Sequence, residues 1–274
     1  MFDLDMSKKI SDFVYIKPRT VDEIAKHIGK NWRTADRYVK RISEEQGTIS
    51  MRTFREGTKG ALKLVFWNNI EKIHSSTFQE RLFYRITRGI RKSDFSPFDI
   101  YQHIGNGKKV AHLFEQERKM FAEFVPMLKQ AEKQVLFFSG NLSWVKQKGF
   151  IEALEELAKR KVIIKIITRI DYTGIENIRA VLGINNKVGR TAIEIKHKEQ
   201  PLRGAIIDNK LVNFKEVKDP VFNPSLKKKS CISYQLFDKD WIEWLQKVFW
   251  HMFADGIGAE KRFEEIDTIH KILD

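Results

Sequence analysis

The sequence has few of the residues that build covalent cross-links and metal sites. It has one cysteine in 274 residues, Cys231, which excludes an internal disulfide and a zinc site built on cysteines. The seven histidines are scattered, without a His-x3-His pair or a His-Glu-x-x-His motif. The glycine-containing turns lack the Gly-x4-Gly-Lys-Ser/Thr spacing of a phosphate-binding loop. We therefore expect no metal site and no cofactor.

Signals for membranes and secretion are also missing. No stretch of about 18 uncharged apolar residues occurs. The first ten residues carry Asp3, Asp5, Lys8 and Lys9 in place of the apolar run of a signal peptide. We expect a cytoplasmic protein.

The chain is rich in apolar bulk and in positive charge. Hydrophobic residues make up 42% of it, with 20 Phe and 6 Trp, which is enough for true cores and, at this length, for two folded units. Lys and Arg number 50 against 36 Asp and Glu, a net charge of +14, and the excess is spread along the chain. Such a protein often binds nucleic acid, with a thermophile's charged surface as the open alternative.

Residues 1–70 carry the pattern of a winged helix-turn-helix. Thr20 and Glu23 have the spacing of a capping box, and Gly29 can end the short helix that follows. Asn31 can cap a second helix directly after this turn. The apolar faces of the two helices are Val21, Ile24, Ala25 and Ile28, and Ala35, Val39 and Ile42. Two short helices joined by so tight a turn are typical of a helix-turn-helix.

The second helix and the hairpin after it present the candidate DNA-binding residues. Residues 48–54 and 61–67 alternate like strands around the turn 55–60, where a wing would follow a recognition helix. The side chains expected to contact DNA are Asn31, Trp32, Arg33, Thr34, Arg37, Tyr38 and Arg41 in the major groove, and Arg52, Arg55 and Lys59 on phosphates. A small helical domain that contacts proteins is the alternative for this segment.

Residues 71–133 are expected to form a helical linker between the two domains. They begin with an amphipathic helical stretch and break at residues 93–97 and 105–107. From Lys108 the chain is predicted to be helical, with a 4,3 apolar repeat from Val110 to Val135 that only Glu117 interrupts. Pro126 should kink or end this helix locally. The repeat predicts a helix packed along another helix, either in a homodimer or against its own domain.

Residues 134–274 alternate between strand and helix patterns. Apolar or alternating runs predict strands at 134–138, 162–168, 192–198, 203–207, 211–216 and 231–238. Amphipathic helices are predicted around 150–157, 175–182 and 241–252. This order predicts a mixed sheet covered by helices, so the whole chain is expected to be an α/β multidomain protein.

The order of these elements resembles the phospholipase D fold, and the segment from Pro201 to Asp208, PLRGAIID, carries the resemblance. It matches the spacing of the family motif His-x-Lys-x4-Asp, with Arg203 and Asp208 in the Lys and Asp places. Pro201 stands in the place of the nucleophilic histidine, and Lys215-Glu216 stand in the place of the usual Gly-Ser. Proline can neither attack phosphorus nor protonate a leaving group, so no catalytic residue is expected. His197, four residues upstream, is interpreted as a packed or exposed histidine.

A winged helix, a helical linker and a degenerate phospholipase D-like domain, in this order, resemble the archaeal TrmB-like transcription regulators. The resemblance implies winged helices that bind operator or non-specific DNA as dimers. It implies that the fold beyond them serves dimerisation and, in some members, effector sensing. Phospholipase D-like domains also tend to pair.

These patterns predict a non-catalytic, nucleoid-associated transcriptional regulator that binds double-stranded DNA as a homodimer. The residues expected to be buried between chains or against the sheet domain are Phe114, Phe121, Phe124 and Leu128. Three alternatives stay open: a DNA-coating architectural protein, a phospholipase D-like phosphodiesterase or nuclease with a variant site around Arg203 and Asp208, and a protein-interaction module.

Overall fold

The computed structural model describes residues 4–45, 47–55, 61–67, 77–221 and 228–273. The chain divides into two compact units, Met1–Ile73 and His74–Asp274, each with its own hydrophobic core. Within the described ranges, every helix is too short or too polar to cross a bilayer. The same ranges hold no group of three His, Cys, Asp or Glu side chains placed to share a metal ion.

The first unit combines three helices with a small antiparallel sheet. Its elements are α1 (Leu4–Ile16), β1 (Arg19–Thr20), α2 (Val21–Ile28), α3 (Trp32–Glu45), β2 (Ile49–Arg55) and β3 (Ala61–Trp67). The strands are ordered β1-β3-β2, and β2 pairs with β3 from Ile49↔Trp67 to Arg55↔Ala61. The predicted helix pair and hairpin are confirmed, whereas α1 and β1 were not predicted.

The packing of the first unit follows from the helix signals in the sequence. Thr20 and Glu23 form the complete capping box, with the Glu23 amide 3.1 Å from the Thr20 hydroxyl and the Thr20 amide 2.7 Å from the Glu23 carboxylate. Every residue of the two predicted apolar faces is buried, and Ile10 and Val14 of α1 complete the core. The helices therefore pack through the faces that the periodicity predicted.

The second unit is built on one large sheet with helices around it. Its helices are α4 (Thr77–Arg88), α5 (Phe98–Tyr101), α6 (Glu117–Lys129), α7 (Phe150–Lys159), α8 (Ile175–Val188), α9 (Lys239–Ala254) and α10 (Ala259–Leu273). Its strands are β4 (Lys109–Phe114), β5 (Gln134–Phe138), β6 (Ile163–Thr168), β7 (Ile193–His197), β8 (Gly204–Ile207), β9 (Leu211–Lys218), β10 (Ser230–Leu236) and β11 (Ile257–Gly258).

The sheet is mixed, with the strand order β11-β7-β6-β5-β8-β9-β10-β4. The three neighbouring strands β5, β6 and β7 are parallel to one another, and all other pairs are antiparallel. Val135 and Phe137 belong to the core cluster that includes α7 and α8. Phe138 instead contacts Phe249 of α9, with ring centroids 5.2 Å apart. Because both faces of β5 are buried, its sequence is a continuous apolar run, and the predicted mixed sheet covered by helices is confirmed.

The helical prediction for residues 108–116 is wrong. Residues 109–114 form the edge strand β4, paired with β10 from Lys109↔Leu236 to Phe114↔Cys231. The helix begins only at Glu117 and runs through Pro126 to Lys129. The backbone hydrogen bonds offered by β10 decide the conformation of a short segment whose own helical preference is weak.

From Phe121 onward the 4,3 repeat is satisfied inside the second unit, whereas Val110 is exposed and Phe114 is only half-buried on β4. Leu128 is fully buried in its core, and Phe121 and Phe124 are partly buried against that core. The Phe121 and Phe150 rings meet edge to face at 5.3 Å, and Glu117, the polar exception in the repeat, forms an ion pair with Lys215 of β9. The described part of the segment 71–133 is thus a layer of the second unit, which corrects the prediction of a separate linker.

Candidate functional site

Two local signals fix the start of α3, the predicted recognition helix. Gly29 ends α2 in the left-handed conformation, at φ 66°, which residues with a Cβ adopt only at a cost. Asn31 then accepts the Thr34 amide with its side-chain oxygen at 2.9 Å. This N-cap orients the first turn of α3 relative to α2, as predicted from the sequence.

A buried ion pair connects α3 with the hairpin. Asp36, 7% exposed, accepts Lys63 Nζ of β3 at 2.6 Å and Lys40 Nζ at 3.1 Å. The Lys63 ammonium also lies 4.7 Å from the centre of the Trp32 ring. Burial opposes ionisation of Asp36, but hydrogen bonds and charge from Lys63 and Lys40 outweigh it and lower its pKa. The cluster therefore joins α3 to β3.

Sequence reasoning missed three members of this cluster, Asp36, Lys40 and Lys63, and predicted a DNA contact for the fourth, Trp32. The spacing of Asp36 and Lys40 is an i,i+4 pair that could have been noticed. Lys63 gives no local signal, because its role depends on the pairing of β3 with the rest of the unit. Trp32, predicted to contact DNA, is 38% exposed and packs beside Lys63.

The predicted outward face of α3 divides into exposed and partly buried residues. Arg33, Arg37 and Arg41 are exposed, and their i,i+4 spacing places them in one row. Thr34 and Tyr38 are partly buried, and Tyr38 packs against the core. Arg33 and Arg37 form no ion pair or hydrogen bond with any described residue. Two guanidinium groups one turn apart are therefore available to an anionic partner.

Two of the three predicted phosphate contacts, Arg52 and Arg55, fall on β2. Arg52 is exposed on β2, opposite Leu64 of β3. Arg55 is the last residue of β2 and pairs with Ala61. Lys59 lies outside the described residues.

The motif-like segment in the second unit places its residues at opposite ends of β8. Pro201 and Arg203 come just before β8, where they line a cavity of about 610 Å³ together with Lys215 and Glu216. Asp208 follows the strand, five residues after Arg203, or about 16 Å along an extended chain. The structure therefore brings Pro201 and Arg203 together and separates them from Asp208.

Asp208 makes a set of hydrogen bonds to backbone amides. Its buried carboxylate accepts the amides of Glu132, Lys133 and Gln134 at 3.1, 2.9 and 2.9 Å. The residue itself has φ 50° at the tight turn between β8 and β9, and Gln246 of α9 donates to its carbonyl oxygen at 2.8 Å. Its side chain thus fixes the chain entering β5.

Arg203 is held as a cation. Its Nη1 donates to the carbonyl oxygens of Gln200 at 2.8 Å and Leu202 at 2.6 Å. Burial, followed by repulsion from Arg169, lowers the pKa of Arg203 to about 10, so the guanidinium keeps its charge at neutral pH. Chemically it can bind an anion, and it cannot act as a nucleophile.

His197 at the end of β7 also has a structural role. Its Nδ1 accepts the Ile170 amide at 2.9 Å, so this nitrogen is unprotonated. Burial, with a smaller contribution from Arg262, lowers the pKa of His197, and Glu199, Glu265 and Asp171 oppose the change. The interpretation of His197 as a packed histidine agrees with this geometry.

Comparisons with known proteins find no relative by sequence. No protein-family model matches the chain, and no curated protein matches it.

Solved structures are similar only at low levels. Nuc, a phospholipase D family member from Salmonella typhimurium, is 16% identical, with 55% of this chain and 97% of that chain covered and a TM-score of 0.43. NucT from Helicobacter pylori is 15% identical, with 55% and 99% covered and a TM-score of 0.40. TrmBL2, an archaeal chromatin protein with a novel mode of DNA binding, is 11% identical, with 94% and 95% covered and a TM-score of 0.41. Scores and identities this low do not assign the chain to a family.

Proposed function

We propose that the chain is a DNA-binding protein whose first unit is a winged helix-turn-helix, with α3 as the recognition helix. The observation that carries the proposal is the pair of exposed guanidinium groups of Arg33 and Arg37, which have no ion-pair partner among the described residues. They lie in the first two turns of α3, the part of a recognition helix that contacts base edges.

The support under these arginines favours binding to a duplex. An α-helix fits the major groove of B-DNA, which is about 12 Å wide. The Asn31 cap and the Asp36–Lys63 pair hold α3 in place, so little ordering is needed before α3 enters the groove. The side chains of Arg33 and Arg37 are the flexible groups left to adapt to bases and phosphates.

A titration of labelled duplex DNA followed by fluorescence anisotropy tests the proposal. The loss of a bidentate guanine contact in Arg33→Ala or Arg37→Ala should cost about 1–3 kcal/mol. If the lost contact is instead with a phosphate, the slope of log affinity against log salt should fall by about one. Arg179→Ala, at an exposed site on α8, changes the net charge equally and should leave the affinity unchanged. Wild-type affinity in both α3 variants would remove α3 from the interface.

We further propose that the protein is a transcriptional regulator rather than a protein that coats DNA. The support is that guanidinium groups on a fixed helix can read bases, whereas coating needs only contacts with phosphates. Genome-wide DNA occupancy in the native host separates the two functions. A few sharp palindromic peaks indicate a regulator, and broad coverage indicates an architectural protein.

A homodimer is part of the proposal because two winged helices on a two-fold axis would bind half-sites about one helical turn apart. Leu128 and its neighbours are buried in the core of the second unit, so substitutions at these positions cannot test a dimer interface. Phe121→Asp and Leu128→Asp are expected to unfold that unit, so they say nothing about an interface. Light scattering of the parent protein with and without DNA is the direct test, and one protein per duplex at a monomer mass would exclude a dimer.

We propose that the second unit is not catalytic. Pro201 occupies the nucleophile's place, His197 holds a backbone amide, and Asp208 is bound to three others. Incubation with a model phosphodiester and with DNA tests this point. Turnover that Arg203→Met abolishes would favour the phosphodiesterase alternative. Asp208→Ala does not discriminate, because the loss of its hydrogen bonds to three backbone amides destabilises the second unit in either case.

A further inference from the structure

The cavity at the start of β8 has the size and position of a ligand site. Its volume of about 610 Å³ lies within the range of about 300–1,000 Å³ that is typical of small-molecule pockets. It lies where β5 ends, and β5 itself pairs in parallel with β6 on one side and antiparallel with β8 on the other. Open α/β sheets bind ligands in the crevice outside the carboxyl ends of their parallel strands, and the end of β5 is such a carboxyl end.

The guanidinium of Arg203 lines this cavity with one edge unoccupied. Two carbonyl oxygens hold Nη1, while Nε and Nη2 have no acceptor among the described residues. No carboxylate of those residues pairs with Arg203. The Nε–Nη2 edge is one of the two edges through which arginine binds carboxylate or phosphate in a bidentate manner. A cation whose orientation is fixed and whose charge has no partner is a preorganised receptor for an anion.

Gly140 leaves the space in front of that edge. A Cβ at this position would lie 2.9 Å from Arg203 Nε and 3.2 Å from Nη2. Gly140 also lines the cavity, and it lies in the loop that follows β5. The missing side chain therefore opens the approach to the guanidinium from the cavity.

The remaining charges of the lining do not neutralise Arg203. Five lysine and arginine side chains line the cavity against three carboxylates. Lys215 is paired with Glu117, and Lys218 is paired with Glu216. The field inside the cavity therefore favours an anion.

One wall of the cavity is aromatic. The Trp144 and Phe137 rings are stacked with centroids 4.9 Å apart, and the Phe150 ring lies 4.9 Å from Trp144. Phe121 and Phe124 of α6 line the same side. Trp144, Phe121 and Phe124 are only partly buried, so they offer an apolar surface for a planar group in a ligand whose anion is bound by Arg203, and the buried Phe137 and Phe150 rings support them from behind.

We propose that this cavity binds a small organic anion, a phosphate or carboxylate that carries a planar ring, with Arg203 as its anion receptor. The proposal concerns the second unit alone and does not depend on DNA binding by the first. Phosphate and carboxylate present the same paired oxygens to the guanidinium edge, so both are tested.

Isothermal titration of the full-length protein without DNA is the experiment, with phenyl phosphate, phenylacetate, benzyl alcohol and inorganic phosphate as probes. The two ring-bearing anions should bind with a dissociation constant below about 1 mM. Benzyl alcohol lacks the charge and inorganic phosphate lacks the ring, so each should bind at least about tenfold more weakly than the tighter of the two anions. Which of the two binds more tightly identifies the anionic group.

Two substitutions test the receptor. Arg203→Met keeps the length and removes the charge, and it should weaken binding of the ring-bearing anion by about tenfold or more. Gly140→Ala should weaken it as well, because the new methyl group would fill the space in front of Nε. Arg179→Met, at the exposed site on α8, is the matched control and should bind like the parent. Circular dichroism and thermal melting confirm that each variant is folded.

Two outcomes would overturn the proposal. One is a folded parent protein that binds neither phenyl phosphate nor phenylacetate. The other is a folded Arg203→Met variant that binds them as tightly as the parent does.

Discussion

In the first unit, Arg33 and Arg37 lie on the exposed face of α3, whereas in the second unit Arg203 is partly buried and two carbonyl oxygens fix its guanidinium. A guanidinium in water needs no protein partner. A guanidinium removed from water needs acceptors, because desolvation of a charge without compensation is costly. The first arrangement suits a large polyanion that meets the exposed helix face, and the second suits a small anion that enters a cavity.

Asp36 of the first unit and Asp208 of the second unit also differ in the partners of their carboxylates. Asp36 forms ion pairs with two lysine side chains of the first unit. Asp208 has no lysine or arginine ion-pair partner among the described residues and accepts three backbone amides of the second unit. Asp36 therefore adjusts the charge of the surface around α3, whereas Asp208 holds the chain in a conformation that the sheet requires.

The largest expected effect is that of Asp208→Ala on the stability of the second unit. The substitution leaves three partly buried amides without their charged acceptor, and we expect a loss of about 3 kcal/mol in the free energy of unfolding. Asp208→Asn should lose less, because its side-chain oxygen still accepts. Urea denaturation measures both, with hydrogen exchange to locate the loss, and Asp267→Ala on the exposed side of α10 is the control. Parent-like stability in Asp208→Ala would show that these amides do not depend on the carboxylate.

The corresponding change in the first unit, Asp36→Ala, should cost less, about 1–2 kcal/mol. It leaves the largely buried ammonium of Lys63 beside Trp32 without its anion. Some of this loss should be recovered in the double variant Asp36→Ala/Lys63→Met, which removes the unpaired charge. Thermal and urea unfolding of both variants measure the coupling. If the double variant is no more stable than the single one, the unpaired ammonium is not the cause of the loss.

The sequence predicted the first unit well because its signals are local. A capping box, a left-handed glycine and a 3.6-residue period concern residues within one or two turns of each other, and they placed Thr20, Gly29 and Asn31 correctly. The Asp36–Lys63 pair joins residues 27 positions apart, and no pattern in the chain announces it.

In the second unit, the strands of the sheet centre were predictable because burial on both faces leaves continuous apolar runs. The strand β4 was not predictable, because a helix over the same residues also fits the apolar repeat. Only the pairing with β10 decides that these residues form a strand. Arg203 and Asp208 were located by spacing, but their roles could not be read from it. Those roles depend on Gly140 and on residues 132–134, which lie about 60–75 positions earlier in the chain.

A smaller effect is expected from the cap of α3. Asn31→Ala removes the acceptor of the Thr34 amide and should lower the stability of the first unit by about 1 kcal/mol. Asn31→Asp should keep the cap, since a carboxylate accepts the same hydrogen bond. Asn31→Asp also separates the capping role of Asn31 from a direct contact with DNA. If this variant keeps the stability of the parent but binds DNA more weakly, Asn31 contacts DNA directly. Urea denaturation and the anisotropy titration supply the two measurements.

The smallest expected effect is a pH dependence confined to the second unit. Burial, ahead of repulsion from Arg262, lowers the pKa of His197, so the folded chain holds its proton more weakly than the unfolded chain does. The unfolded state takes up the proton first as the pH falls through about 6.5. The stability contributed by neutral His197 is therefore full above that pH and is lost below it. His197→Asn can still accept the Ile170 amide but does not titrate, so its urea midpoint should fall less than the parent's between pH 7 and pH 5. An equal fall in both proteins would assign the acid sensitivity to other groups, among them His251, whose pKa burial also lowers.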